Sequence, residues 1–166
     1  MRLLAKVVTI FDRITDLLAF FAIAIIIFIM LSVTYDVVMR YFGHPTLWVV
    51  EISEYSLLYM TFLVAAWLLK REGHVKIDLV LNRLSPRAQA MTNVITSIFG
   101  LIICLVITWY TAKVTWSHFE RGLYMPTYLE VPNAYILVVI PVGSFMLFIQ
   151  FLRRIHTYLR SFKESA

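Results

Sequence analysis

Two carboxylates, Glu51 and Glu54, stand near the start of an apolar run, in the stretch "HPTLWVVEISEYSLLYM" of residues 44–60. A charge in hydrocarbon is costly, so each carboxylate needs a partner. The i, i+3 spacing predicts that both lie on one helix face, which Tyr55 extends. Three explanations are open. The first is local stabilisation, by the positive helix N-terminus or by Arg40 across a short loop. The second is a coupling site for a proton or a cationic substrate. The third is contact with a partner subunit.

The other residue types that do chemistry form no recognisable set. Every histidine lies in a loop or beyond the end of an apolar run, which disfavours a haem-binding membrane anchor. No Glu-x-x-His pair, Gly-rich phosphate loop, Ser/His/Asp set or Cys/His set is visible. A single cysteine, Cys104, excludes a disulfide within the chain. The sequence therefore predicts no enzyme, no metal site and no cofactor in this chain.

The elements that position the two glutamates are membrane spans. The chain has 166 residues, of which 61% are hydrophobic and 15% charged, and the apolar residues form four long runs. Each run is near the roughly 20 residues that a helix needs to cross a bilayer. The sequence predicts an all-α membrane protein with one integral membrane domain, residues 1–166. Its four transmembrane helices are expected at about 17–39, 48–69, 90–112 and 132–152.

The basic residues predict the orientation. Twelve of the fifteen lysines and arginines lie in the N-terminal segment, the second loop and the C-terminal tail. By the positive-inside rule, both termini are expected in the cytoplasm. The net charge of +5 is then a topology signal and gives no support to nucleic-acid binding.

The spans argue against the coupling explanation. Substrate and ion sites usually lie near the bilayer midplane, whereas Glu51 and Glu54 lie near the outer end of the second span. The interior of all four runs otherwise holds no Asp, Glu, Lys or Arg. Such a chain is poorly equipped to move an ion or a polar solute alone.

A cytoplasmic interfacial amphipathic helix, about residues 74–85, is expected between the second and third spans. Its apolar residues recur at i, i+3, i+4 and i+7, which is one face of a helix, and the stretch is too short to span. That face either rests on lipid, with the basic side toward anionic headgroups, or packs on protein. The residues that define this helix are His74, Lys76, Ile77, Asp78, Val80, Leu81 and Leu84.

Two further local predictions concern helix ends and packing. Thr46 can cap the second span, after the helix-breaking Gly43 and Pro45. In the fourth span, Pro141 and Gly143 indicate a kink, or else close packing of a neighbouring helix at Gly143 with little bend.

The run "RYFGHPTLWVVEISEYSLLYMTFLVAAWLLKREGHVKIDLV" resembles the small membrane subunit of tripartite ATP-independent periplasmic (TRAP) transporters. The matching features are the Arg-Tyr-Phe that ends the first span, Trp48 and Glu51 opening the second, Tyr55 one turn on, and the His-Val-Lys-Ile-Asp after it. Two positions depart from the family pattern. Val64 stands where glycine is common, and Glu54 where an arginine or another polar residue is common.

The resemblance implies a secondary symporter, typically sodium-driven, that takes up organic acids across a bacterial or archaeal inner membrane. A periplasmic substrate-binding protein would deliver the acid, and a large multi-span membrane subunit would hold the substrate and sodium sites. The small subunit would pack on the large subunit's scaffold and anchor it among membrane lipids. The residues expected at that partner interface are Arg40, Trp48, Glu51, Glu54 and Tyr55.

Other functions remain open from the residues alone. One is an autonomous four-span exporter in which a carboxylate is the proton-coupled site. A second is the membrane anchor of a respiratory complex, which would carry haem or quinone. A third is a structural tetraspan protein without a transport partner.

Overall fold

A computed structural model describes residues 2–71 and 86–164. These residues form five helices, with no strand among them and one isolated antiparallel bridge between Tyr124 and Pro132. The helices are α1 (Arg2–Tyr41), α2 (Leu47–Lys70), α3 (Pro86–Arg121), α4 (Asn133–Leu137) and α5 (Val139–Glu164).

Four stretches are long and apolar enough to cross a membrane, which confirms the all-α fold with four spans. Helices α1 and α3 have 40 and 36 residues. At 1.5 Å per residue each is more than about 50 Å long, well over the thickness of the hydrocarbon core. The four stretches are Val8–Tyr41, Leu47–Lys70, Met91–Arg121 and Asn133–Leu159. The predicted interfacial helix, with all seven residues named for it, lies outside the described residues.

The long helices stand in a row. Extensive packing joins α1 to α2, α2 to α5, and α5 to α3, while short α4 packs on α3 and α5. The row therefore consists of two hairpins, α1–α2 and α3–α5. We call the boundary between the two hairpins, where α2 packs on α5, the seam. The end of the row that holds the α1–α2 turn is called the loop end, and the opposite end is called the tail end.

Small residues bring the helices close together. Ala19 and Ala22 of α1 and Ala66 of α2 are buried. At the seam, a Cβ added to Gly143 would lie 2.7 Å from the backbone oxygen of Phe62. Small side chains at such contacts let backbones approach and gain van der Waals packing where the hydrophobic effect gives no drive. The structure thus shows the close packing at Gly143 that the sequence offered as one of two explanations.

The fourth span is interrupted between α4 and α5. Pro141 has no N–H to donate to the carbonyl of Leu137, one turn earlier, and this is where α4 ends. Val138 keeps helical torsions, φ −59° and ψ −27°, and its N–H bonds the Ala134 carbonyl at 3.0 Å. The interruption is therefore mild, and the two segments continue one span.

Ion pairs close the tail end. Asp12 of α1 binds Arg153 of α5, with Oδ1 2.6 Å from Nη1 and Oδ2 3.2 Å from Nη2. Lys70 at the end of α2 lies 2.9 Å from both carboxylate oxygens of Asp16. The Asp12–Arg153 pair crosses from one hairpin to the other, so it fixes the tail end of the seam. Nearby, Leu69, Cys104 and Phe151 form a buried apolar cluster.

Candidate functional site

Asp36 organises the turn between α1 and α2 at the loop end. Its side chain is buried, with 5% of the residue exposed. The carboxylate accepts hydrogen bonds from Arg40 Nε at 2.7 Å, from the Thr46 backbone N–H at 3.0 Å and from the Thr46 hydroxyl. One acid thus holds the last turns of α1 against the first residue before α2.

The structure decides two points about this turn. Arg40, one of the possible partners of the glutamates, binds Asp36 instead, one turn earlier on the same helix. Thr46 does occupy the position before α2, yet its side chain makes no capping hydrogen bond, because the hydroxyl donates to Asp36 instead. Asp36 itself was missed by sequence reasoning, since it marks only the end of the first apolar run.

We expect Asp36→Ala to lower the thermal stability of the detergent-solubilised chain more than Thr46→Val does. The alanine removes the acceptor of three hydrogen bonds, whereas the valine removes one donor and leaves the Arg40 pair in place. Melting followed by the monodisperse fraction after heating measures both variants. Equal melting of the two would show that the carboxylate does not hold the turn.

Glu51 binds the chain's own loop between α3 and α4. Its carboxylate accepts two backbone hydrogen bonds, from the N–H of Tyr128 at 2.6 Å and from that of Leu129 at 3.0 Å. One helical turn on, the Tyr55 hydroxyl lies 3.3 Å from Thr127 Oγ1. Bonds from backbone N–H groups to a carboxylate are charge-assisted and therefore strong.

Glu51 and Tyr55 begin a stripe of polar side chains along α2, and a third residue, Tyr59, continues it. The Tyr59 hydroxyl, one more turn along α2, donates to the Tyr135 backbone carbonyl in α4. Glu51, Tyr55 and Tyr59 are four residues apart, so they share one face of α2. All three contact the second hairpin, and the stripe fixes the loop end of the seam as the Asp12–Arg153 pair fixes the tail end.

The 122–132 loop has structure of its own. Gly122 and Glu130 take positive φ values of 57° and 45°. Backbone hydrogen bonds cross the loop from Met125 to Val131 at 3.1 Å and from Asn133 to Leu123 at 3.0 Å. The loop is thus compact, and Glu51 and Tyr55 of α2 bind it.

Glu54 has different neighbours from Glu51, although the sequence placed both on one face. At 3.6 residues per turn, positions three apart differ by about 60° around the helix. That rotation moves Glu54 away from the 122–132 loop and onto an apolar groove between α1 and α2. The groove has a volume of about 390 Å³, and its walls include Val33, Val37, Val50 and Leu57. Glu54 is exposed there, whereas Glu51 is partly buried.

Comparison with known protein families identifies the family of this chain. The family model described as "Tripartite ATP-independent periplasmic transporters, DctQ component" matches residues 29–161. The chain belongs to the DctQ family. A curated relative from Haemophilus influenzae, provisionally named a TRAP transporter small permease protein, is 30% identical over 102 residues. That match covers 61% of this chain and 61% of the relative, so the chain spans about three fifths of the relative's length.

DctQ membership confirms the family recognised in the sequence and makes the chain a multi-pass subunit of a transporter. The DctQ match includes the α1–α2 turn, the Glu51 stripe and the 122–132 loop. Among residues 2–71 and 86–164, no three His, Cys, Asp or Glu side chains come together in a way that could hold a metal ion.

The five interface residues predicted for this DctQ chain lie in three different surroundings. Glu51 and Tyr55 are engaged with the 122–132 loop, and Trp48 is partly buried in the first turn of α2. Arg40 and Glu54 line the α1–α2 groove. The sequence gives no signal for the partners of Glu51, because the two amides that bind it lie 77 and 78 residues further along the chain.

Proposed function

We propose that this chain is the non-catalytic scaffold subunit of a sodium-coupled secondary transporter for organic acids. A periplasmic binding protein feeds the transporter, and a large multi-span membrane subunit carries the substrate and sodium sites. This chain packs on the large subunit and anchors it in a bacterial or archaeal inner membrane, with both of its own termini in the cytoplasm.

One observation carries the scaffold role: the polar side chains that cross the seam bind the chain to itself. Glu51 and Tyr59 cross at the loop end and Arg153 crosses at the tail end. Helices fixed at both ends hold their depth relative to one another. A rigid body of this kind suits a stationary part of a transporter, against which another part moves.

The state of Glu51 supports placing ion coupling in the other membrane subunit. Two backbone N–H groups already occupy its carboxylate, one on each oxygen. A carboxylate that binds and releases a proton or cation in each transport cycle would have to break those bonds every time. Glu51 is better suited to holding the loop, and the sodium dependence is assigned to the large subunit.

The family supports the partners, and the charge distribution supports the orientation. Transporters of this family are tripartite, which calls for two other components beside this one. Twelve of the fifteen basic residues would face the cytoplasm with the termini inside. The 122–132 loop would then lie on the periplasmic side.

Co-purification tests this function. The chain, tagged at its C-terminus and expressed with its neighbouring genes, is expected to bring a large multi-span protein with it in fixed ratio from mild detergent. Liposomes holding both proteins and the binding protein should take up an organic acid in a sodium gradient, while liposomes holding this chain alone should not. Transport by the chain alone would support the autonomous exporter instead.

A further inference from the structure

The α1–α2 groove is open on the face that the chain does not use itself. Its wall residues Val37 and Leu57 are 60% and 50% exposed. Glu54 lies among them, and within the described parts of the chain no group bonds to its carboxylate. Arg40 lines the same groove, with its Nε on Asp36 and 56% of its side chain exposed. The groove thus combines an apolar floor with an acid and a base.

The depth of Glu54 limits what can cover it. Glu54 lies seven positions after Leu47, the first residue of α2, which places it about 10 Å along the helix. A carboxylate at that depth facing lipid tails would be costly, and membrane proteins pair such groups with a cation. The ammonium of a phospholipid stays at headgroup level, so it is poorly placed to reach Glu54. A lysine or arginine on a transmembrane helix can lie at the required depth.

We propose that the α1–α2 groove is the docking surface for a transmembrane helix of the large membrane subunit, which brings a lysine or arginine to Glu54. This docking proposal rests on the proposed scaffold function and specifies where the large subunit binds. Apolar side chains of the incoming helix fill the groove between Val37 and Leu57. Glu51 and Tyr55 take no part, because the 122–132 loop already covers them.

A second copy of this chain fits the groove less well. Two cations of its own spans come near the required depth, and both are already engaged within the chain. Arg40 bonds Asp36. Lys113, eight residues before the end of α3, lies over the Trp109 ring, with Nζ 5.1 Å from the ring centroid. Charge complementarity therefore favours a different protein as the occupant.

Photo-crosslinking in the intact complex tests the docking surface. A benzoylphenylalanine at Leu57, in the groove, is compared with one at Phe99, which is 64% exposed on α3 at the far side of the row. The position 57 probe is expected to give an adduct with the large subunit, and the position 99 probe is not. An adduct at position 99 alone would overturn the docking surface while leaving the scaffold function in place. Homodimer or lipid adducts at position 57 would also overturn it.

Charge reversal gives an independent readout. Glu54→Lys is expected to reduce the co-purified large subunit about tenfold or more, since it sets like charges against each other in a desolvated interface. The free subunit should melt as the wild type does, because no intrachain bond of Glu54 is lost. Changing the crosslinked partner's cation to glutamate should restore the yield. Full complex yield from Glu54→Lys would overturn the proposal, whereas failure of the wild type to bring down any large subunit would instead contradict the scaffold function.

Discussion

Replacing Gly143 by leucine is expected to push the two hairpins apart. Even a lone Cβ at this position would meet the backbone oxygen of Phe62 at 2.7 Å and its carbonyl carbon at 3.0 Å. Backbone atoms of a helix cannot move aside as a side-chain tip can, so α5 itself must shift. Overpacking of this kind costs about 1–3 kcal/mol, and a leucine here belongs at the upper end. The measurement is the melting temperature in detergent, together with a spin-label distance between α2 and α5.

Gly100→Ala is the matched control, because the same atom is added at the other close helix contact. The new Cβ would lie 2.5 Å from the tip of the Phe151 ring, so a side chain has to move there and not a helix backbone. We expect Gly143→Ala to destabilise the chain more than Gly100→Ala, and Gly143→Leu more than either. A Gly143→Leu variant with wild-type melting and an unchanged α2–α5 distance would show that the seam is not closely packed.

Removing the Glu51 carboxylate is expected to release the 122–132 loop. In Glu51→Ala, the N–H groups of Tyr128 and Leu129 both lose their acceptor. Hydrogen bonds to a charged group are worth about 1.5–3 kcal/mol, and partial exposure to water reduces that value here. Hydrogen–deuterium exchange of these two amides should speed up by about tenfold or more. Uptake by the complete transporter should fall in Glu51→Ala if transport requires the ordered 122–132 loop.

Two variants control this experiment. Glu54→Ala removes a carboxylate three residues away that does not touch the loop, so amide exchange in the loop should stay at the wild-type rate. Glu51→Gln keeps one carbonyl acceptor without the charge and should fall between wild type and alanine. Unchanged exchange at residues 128 and 129 in Glu51→Ala would rule out the role assigned to this carboxylate.

The fold could be predicted from the sequence because lipid imposes it. A long uncharged run must form a helix, since every backbone polar group needs a partner inside the bilayer. The site could be predicted only in part. Composition marked Glu51 as unusual, but its partners follow from which helices become neighbours in space. Asp36 was missed for the same reason, since its bond to Thr46 forms only after the chain turns.

The separate surroundings of Glu51 and Glu54 also lay beyond sequence reasoning. A spacing of three residues predicts a shared face, with a rotation of about 60° between the two side chains. Whether that rotation gives them different contacts depends on which elements pack on either side of α2. Here the 122–132 loop lies on one side and an open groove on the other. The structure thus places Glu51 against the chain's own loop and Glu54 at an exposed groove.

The seam also bears on how the chain reaches its final form. Each hairpin is built from helices that follow one another in the chain, so most of its contacts can form as soon as both helices are inserted. The long-range contacts, from Glu51 to residues 128 and 129 and from Asp12 to Arg153, all cross the seam. In the two-stage description of membrane-protein folding, helices insert first and pack together afterwards. Here the two hairpins would form first and pack against each other last. Formation of the α2–α5 contact then belongs to assembly and not to insertion.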